Sequence, residues 1–403
     1  MDLLRRFREN DRGAVAIVFA VALIPIMGLS GAAIDYTRAT QAKSKLQAAT
    51  DSAALAALTI KASTLSQREL AARTVFEANR PDDVMPSVTY AVGQKEAVVT
   101  ATGEVSTSML KVLRINDIGL RARAKAVRVY DGPPPCILTL SPSATAAIDM
   151  TGNTTFQGKG CVLHSNSSAS GAITIGGSAT VQADGYCAVG TVTAGFTLTP
   201  PPENGCDVME DPYKGLSYSG STTCDPKLRN VSVQPQDSKN LWPGVYCGGL
   251  DLKGKVTFAK GVYVIKDGDL KIGSQSDVTG DEVTFYFVGT STFDIAGGAR
   301  LELSASTEKE PFGGLLFVQD PNAPLNTTKL NGNSGTILKG AIYMPKSHVE
   351  VTGNGSFGVS SPFMPIIANT VKMSGSSVQE TKETSVNLPK PLPRSASGAR
   401  LAE

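Results

Sequence analysis

Six cysteines are the residues of this chain best placed to do chemistry: Cys136, Cys161, Cys187, Cys206, Cys224 and Cys247. They share one stretch, none forms a C-x-x-C pair, and the two histidines, His164 and His348, offer little metal-ligand partnership. An even count without metal spacing predicts disulfides, and hence an oxidising compartment. Six cysteines allow about fifteen connectivities, and the spacing does not choose among them. Cys206 and Cys224 lie inside a proline-rich, polar segment, residues 200–244, with Cys187 before it and Cys247 after it. A long loop in a compact domain must be tied down, and a disulfide closing such a loop contributes about 3 kcal/mol in the chain-entropy model.

Acids come next. Asp149, Asp251, Asp269, Asp294, Glu302 and Glu350 sit on or beside short repeated strands. Paired carboxylates could cleave a polysaccharide. Asp149, Asp251, Asp294 and Glu350 alternate with apolar residues, however, as outward-facing strand positions do. No glycine-rich phosphate loop precedes a helix, and there is no nucleophile elbow. The expectation is no catalysis, no cofactor and no metal. Tyr263, Phe285, Tyr286, Phe287 and Tyr343 are the one concentration of aromatics that could stack on a glycan. Core packing explains them more simply. A net charge of +2 over 403 residues gives no field for nucleic acid.

The elements that carry these residues start with a span. Gly13 to Ile34 holds no charged side chain and follows Arg5, Arg6, Arg8 and Arg12. As a helix it reaches about 33 Å, enough to cross a bilayer core of about 30 Å. It is longer than the core of a cleavable signal peptide, about 7–15 residues, and reads as an uncleaved anchor. Arg38, Lys43 and Lys45 follow it, so charge alone leans only weakly toward a cytoplasmic N-terminus. The reading is a cytoplasmic tail (1–12), a transmembrane helix (13–34), an α+β region (35–130), a proline linker (131–135), an all-β domain (136–385) with the inserted loop 200–244, and a disordered tail (386–403). The α+β region begins with a long helix. Its stripe Leu46, Ala49, Ala53, Ala57 and Ile60 would suit either its own sheet or a partner helix. Ser66 to Glu69 is a capping-box pattern for a second helix, which Pro81 ends. Arg121, Arg123 and Lys125 alternate with alanines as the exposed side of a strand.

A repeat fills the rest: apolar-x-apolar-x-Gly-x-x-x-apolar. Ile148 to Gly152 with Phe156 shows it, as do Ile173 to Gly177, Leu250 to Gly254, Phe293 to Gly297, and Val349 to Gly353 with Phe357. Starts recur every 20 to 25 residues, as from 148 to 173 and from 250 to 270. Strand, glycine corner, strand is one rung of a solenoid. The expected fold is a right-handed parallel β-helix of about eight rungs, with a β-sandwich as the alternative.

Three N-terminal segments resemble the TadG-like proteins of bacterial Tad/Flp pilus assembly: Asp11 to Ile17 (DRGAVAI), Gly31 to Tyr36 (GAAIDY), and the alanine-rich Leu46 to Ala57. Pro243 to Leu250 and Gly340 to Pro345 look more loosely like segments of the exported halves of such proteins. The resemblance implies a single-pass inner-membrane protein with a pilin-like N-terminal region. Its bulk would be periplasmic or surface-exposed, its partners would be the lipid bilayer and inner-membrane pilus-assembly proteins, and a cell-wall or surface contact is left open. Relatives cut by a prepilin peptidase carry a glutamate five residues into the mature chain. With the cut at Gly13 that place is Val18, so the chain is expected to stay whole. Ser141-Pro142-Ser143 lacks the leading aspartate of the von Willebrand type A metal motif that some relatives carry. A glycan-binding adhesin and a polysaccharide-acting enzyme are the alternative functions.

Overall fold

The computed structural model describes residues 12–60, 64–308, 311–332, 335–353, 364–374, 378–382 and 388–402. Arg5, Arg6 and Arg8 of the expected tail, and Phe357 of the last full repeat, lie outside the described residues. The chain forms two compact units, Met1–Val129 with Gly398–Glu403, and Tyr130–Ser397.

The first unit opens with helix α1 (Arg12–Thr59), which continues through Pro25 without a break. A second helix, α2 (Leu65–Asn79), starts at Thr64, whose hydroxyl accepts from the Gln67 N–H at 3.2 Å. The expected box at Ser66 is therefore not the cap. Arg80, before Pro81, turns to extended geometry and ends the helix. Strands β1 (Ser87–Val92), β2 (Glu96–Ser106) and β3 (Asp117–Val129) form an antiparallel sheet. Its fourth strand is Gly398–Ala402, paired antiparallel with β3. The end of the expected disordered tail is thus ordered: its short alternation (GARLA) gives β3 a ladder partner, and Ala399 packs against the core. The second unit is an insertion between two strands of this sheet.

Leu46, Ala49, Ala53 and Ala57 are fully buried, in one cluster with Ala97, Val99 and Ala101 of β2 and Leu120, Ala122, Ala124 and Ala126 of β3. Alanines on both sides let the helix lie close on the sheet. The stripe is therefore core and not a face for a partner helix. Only Ile60, 40% exposed and just past the helix end, escapes. A leucine at position 49 or 53 would overpack the protein's own core, at a cost of about 1–3 kcal/mol.

The second unit is a parallel β-helix of about ten turns. One column shows how the repeat builds it. Val231–Val233, Leu250–Leu252, Leu270–Ile272, Phe293–Ile295, Thr328–Leu330, Val349–Val351, Val371–Met373, Ile148–Met150, Ile173–Ile175 and Val192–Ala194 lie in register, each beside the next. Several of these rungs depart from the sequence pattern, and the expected count is lower because residues 200–244, which hold the Val231–Val233 rung, are set aside there as an insertion. Val231–Val233 is followed by no glycine, Thr328 is polar, and Val192–Ala194 ends in alanine. Glycine corners do occur, with φ of 108° at Gly298 and 151° at Gly353, where a side chain would be strained. The corner expected at Gly297 sits one residue later.

The order of that column corrects the topology. The C-terminal repeat, Val371–Met373, stacks on the first one, Ile148–Met150. The domain thus starts in mid-stack, at Pro135–Thr139, and winds to one end at Glu203–Asn204. The chain then crosses to the opposite end at Arg229–Val233 and winds back to the start. Residues 200–244 are therefore no loop inserted in one rung. Residues 206–224 form a strap along the flank, and Arg229–Val233 and Ser238–Leu241 are already strands of the far end.

Candidate functional site

All six cysteines pair: Cys136–Cys161, Cys187–Cys206 and Cys224–Cys247, with Cα separations of 5.3, 5.9 and 5.8 Å. The first joins neighbouring rungs inside the core, where both residues are fully buried. The other two hold the ends of the strap. Cys187 and Cys247 lie eight strand spacings apart in one sheet column, about 38 Å at 4.8 Å each. Cys206 to Cys224 reaches about 60 Å when extended, so the strap spans the gap with length to spare. Cys187, Glu203 and Cys206 group closely enough to suggest metal ligands, but both sulfurs are in the disulfide and have no thiolate to offer.

Between its ends the strap meets successive rungs in order. Asn166 and Met209 exchange two hydrogen bonds, Asn166 Nδ2 donating to the Met209 carbonyl at 2.8 Å and the Met209 N–H to Asn166 Oδ1 at 2.9 Å. The Tyr343 hydroxyl donates to Asp211 Oδ2 at 2.9 Å, and the Tyr213 and Tyr343 rings meet edge-on, 5.3 Å apart. Tyr218 packs on Tyr286 with centroids 5.7 Å apart. Lys266 Nζ reaches the Thr222 carbonyl at 3.2 Å. Burial, then the Asp211 carboxylate, raises the Tyr343 pKa far above its ordinary value. Burial also pushes Tyr286 up to about 12.

Under the strap the outward positions of the sheet are apolar or aromatic: Val264, Tyr286, Val318, Tyr343, Ile367, Leu138 and His164, all buried. The inward positions stack Tyr263, Phe285 and Phe317 at 5.5 and 5.6 Å. The aromatics that could have faced a glycan are therefore core, or covered. His164 is 2% exposed, and neither ring nitrogen makes a hydrogen bond within geometric limits. Burial lowers its pKa to about 4, opposed by the nearby Asp207 backbone and Asn166 side chain. His348 is half-buried, with Nδ1 2.6 Å from the Thr370 hydroxyl. His348 Nε2 also lies 3.6 Å from Glu350 Oε1, one of the candidate acids, with both side chains partly exposed. Ser141 Oγ accepts from the Ala144 N–H at 3.2 Å, a local turn.

In the first column the outward positions form a ladder of alternating charge: Asp251, Lys271, Asp294, Lys329, Glu350, Lys372 and Asp149. Asp294 and Glu350 have a lysine on each side in the column, and Asp251 and Asp149 have one on one side. That is a surface arrangement, with no paired carboxylates facing a cleft.

The long exposed apolar feature of the first unit is α1. Ile17, Val18, Phe19, Val21, Ile24, Ile26, Met27 and Leu29 are each more than half exposed, an apolar surface with no protein cover. The helix is long and apolar enough to cross a bilayer. Where the uncharged span ends, Asp35 is 2% exposed and accepts the N–H groups of Ser108, Met109 and Leu110 at 2.9, 2.7 and 2.8 Å. That carboxylate caps the 3-10 turn Leu110–Leu113 and ties it to the helix. In the sequence Asp35 stands out only within the GAAIDY resemblance, because its partners lie some seventy residues away.

No curated protein and no solved structure matches the chain. Residues 13–72 match the family model described as putative Flp pilus-assembly TadE/G-like, which places the apolar helix and the start of α2 in a TadE/G-like domain.

Proposed function

We propose that this protein is a membrane-anchored structural component of Tad/Flp pilus assembly, with a cytoplasmic N-terminus and an exported β-helix. The observation that carries the reading is the TadE/G-like match over residues 13–72, which falls on the one long, exposed apolar helix among the described residues. The three disulfides support an oxidising compartment for the second unit. On this reading the β-helix is a rigid spacer or anchor that binds other pilus-assembly proteins and turns over nothing. The alternating charge ladder and the buried aromatics favour neither a cleaving nor a sugar-stacking face. Deleting the gene should abolish surface pili while leaving pilin synthesis intact, and full-length protein should restore them. Normal pili in the deletion strain would overturn the assembly role. A periplasm-only reporter fused after Glu403 should be active, and activity only in the cytosol would reverse the topology.

A further inference from the structure

The turn tied to Asp35 leaves a small apolar surface in an unusual place. Met109, Val112, Leu113 and Ile115 are 53, 85, 65 and 46% exposed. Four neighbouring large apolar side chains left in water need a reason. Their position supplies one. Met109 packs directly on α1 at Gly31, where even an added methyl would lie 2.6 Å from its Cβ. Asp35 holds the three backbone N–H groups that follow, and Arg38 Nη1 donates to the Ser108 hydroxyl at 2.7 Å. The turn is thus fixed beside residues 31–38, the last turn of the uncharged span and the first turn beyond it. Tyr36, 72% exposed, stands at the same level, where amphipathic rings favour the membrane–water boundary. Lys111, Arg114 and Arg38 are exposed around the patch, a charge that suits lipid phosphates.

We propose that residues 109–115 are a second membrane contact, a loop whose apolar side chains enter the headgroup–acyl boundary beside the spanning helix while Lys111 and Arg114 meet anionic headgroups. The proposal rests on α1 being a membrane span. Its consequence is orientational: one helix can tilt and rotate freely, whereas a helix with a docked loop presents one side of the first unit to the bilayer.

The test uses the full-length chain in vesicles of phosphatidylcholine with phosphatidylglycerol, carrying an environment-sensitive fluorophore at Val112→Cys, Arg121→Cys or Ile24→Cys. Lipids with quenchers at known depths report each position. The probe at 112 is expected about 5–10 Å below the surface, as for interfacial apolar faces. The probe at 24 should lie near the midplane, and that at 121, on the exposed side of β3, should be unquenched. A probe at 112 unquenched like that at 121, with the probe at 24 deep, overturns the loop contact alone. Probes at 24 and 112 both unquenched overturn the membrane anchor, and the loop with it. A probe at 112 that is shielded from water but not quenched by lipid assigns the patch to a protein and overturns the lipid contact. Lys111→Glu with Arg114→Glu should remove any deepening caused by phosphatidylglycerol, and an unchanged lipid dependence would overturn the role of the two cations.

Discussion

Two columns of the β-helix share one backbone and differ in what lies over them. In one, the outward positions run Asp251, Lys271, Asp294, Lys329, Glu350, Lys372 and Asp149, in contact with solvent. In the other, the outward positions run Val264, Tyr286, Val318, Tyr343, Ile367, Leu138 and His164, beneath the strap. The geometry of a stacked strand fixes only that side chains alternate. Whether the outer set is charged or apolar is decided by a covering segment far away in sequence. The strapped column is therefore where the segment linking the two ends of the winding packs, and the ladder column stays open.

Truncation should separate the columns most sharply. Tyr343→Ala removes a fully buried ring, its contact with Tyr213 and the partner of Asp211. It should cost about 3–5 kcal/mol, as large buried side chains do. Lys271→Ala in the open column should cost about 1 kcal/mol or less, the loss of two exposed pairs. Urea unfolding of both variants measures this, and equal losses would show that the strap covers nothing that matters. Next in size are the strap's own ends. Paired serine substitutions at Cys187 and Cys206, or at Cys224 and Cys247, open loops of 19 and 23 residues, each worth about 3 kcal/mol in the chain-entropy model. Hydrogen exchange should quicken along residues 206–224 and under them, while the charged column keeps its protection. Protection lost equally in both columns would mean that the strap is not a separate element.

These two columns also show what was legible. The open column could be read because its period-2 alternation and trailing glycines recur at rung spacing. The strapped strands read only as apolar runs, such as Leu315–Gln319 and Val283–Val288. A strand buried on both faces carries no sign of what buries it. The strap itself has no period, and the cysteines that mark its ends could be paired in many ways. The stacking of Val371–Met373 on Ile148–Met150 was equally hidden, since identical repeats do not say which of them are neighbours. In the first unit the alanine stripe was visible, but its partner was not. Helix and sheet both present alanines, and small residues suit either a sheet or another helix. Asp35 was beyond reach for the same reason: a carboxylate shows no preference in sequence for backbone donors seventy residues on.

Acid should reach the strapped column through His164. His164 titrates near 4 when folded, chiefly because burial disfavours its charge, against about 6.5 unfolded. Its neutral form is thus favoured by the fold. The stability so contributed is complete above about pH 6.5 and is lost as pH falls from there through about 4. The loss is up to about 3 kcal/mol, at about 1.4 kcal/mol per unit. The groups near the ring are the Asp207 backbone and the Asn166 side chain. Melting temperature measured against pH should fall over that window in the wild type. The fall should shrink in His164→Leu, which cannot take up a proton. An identical pH profile in the two proteins would place the acid sensitivity elsewhere.

The smallest effect sharpens the other side of the comparison. Column neighbours stand about 4.8 Å apart along the stack, and opposite charges so placed contribute about 0.2–1 kcal/mol per pair. Lys271→Glu sets three acids in a row with Asp251 and Asp294 and should cost about 1 kcal/mol in total. Lys372→Glu does the same with Glu350 and Asp149, at the seam where the C-terminal repeat meets the first one. Both losses should fade in about 1 M salt, where the screening length is about 3 Å. If the ladder only marks register, the two variants should behave alike in thermal melts. A seam variant that loses much more, and keeps losing it in high salt, would show that the closure of the winding depends on Lys372 itself. A salt-independent loss in both would mean that packing of the lysine stems, and not their charge, holds this column.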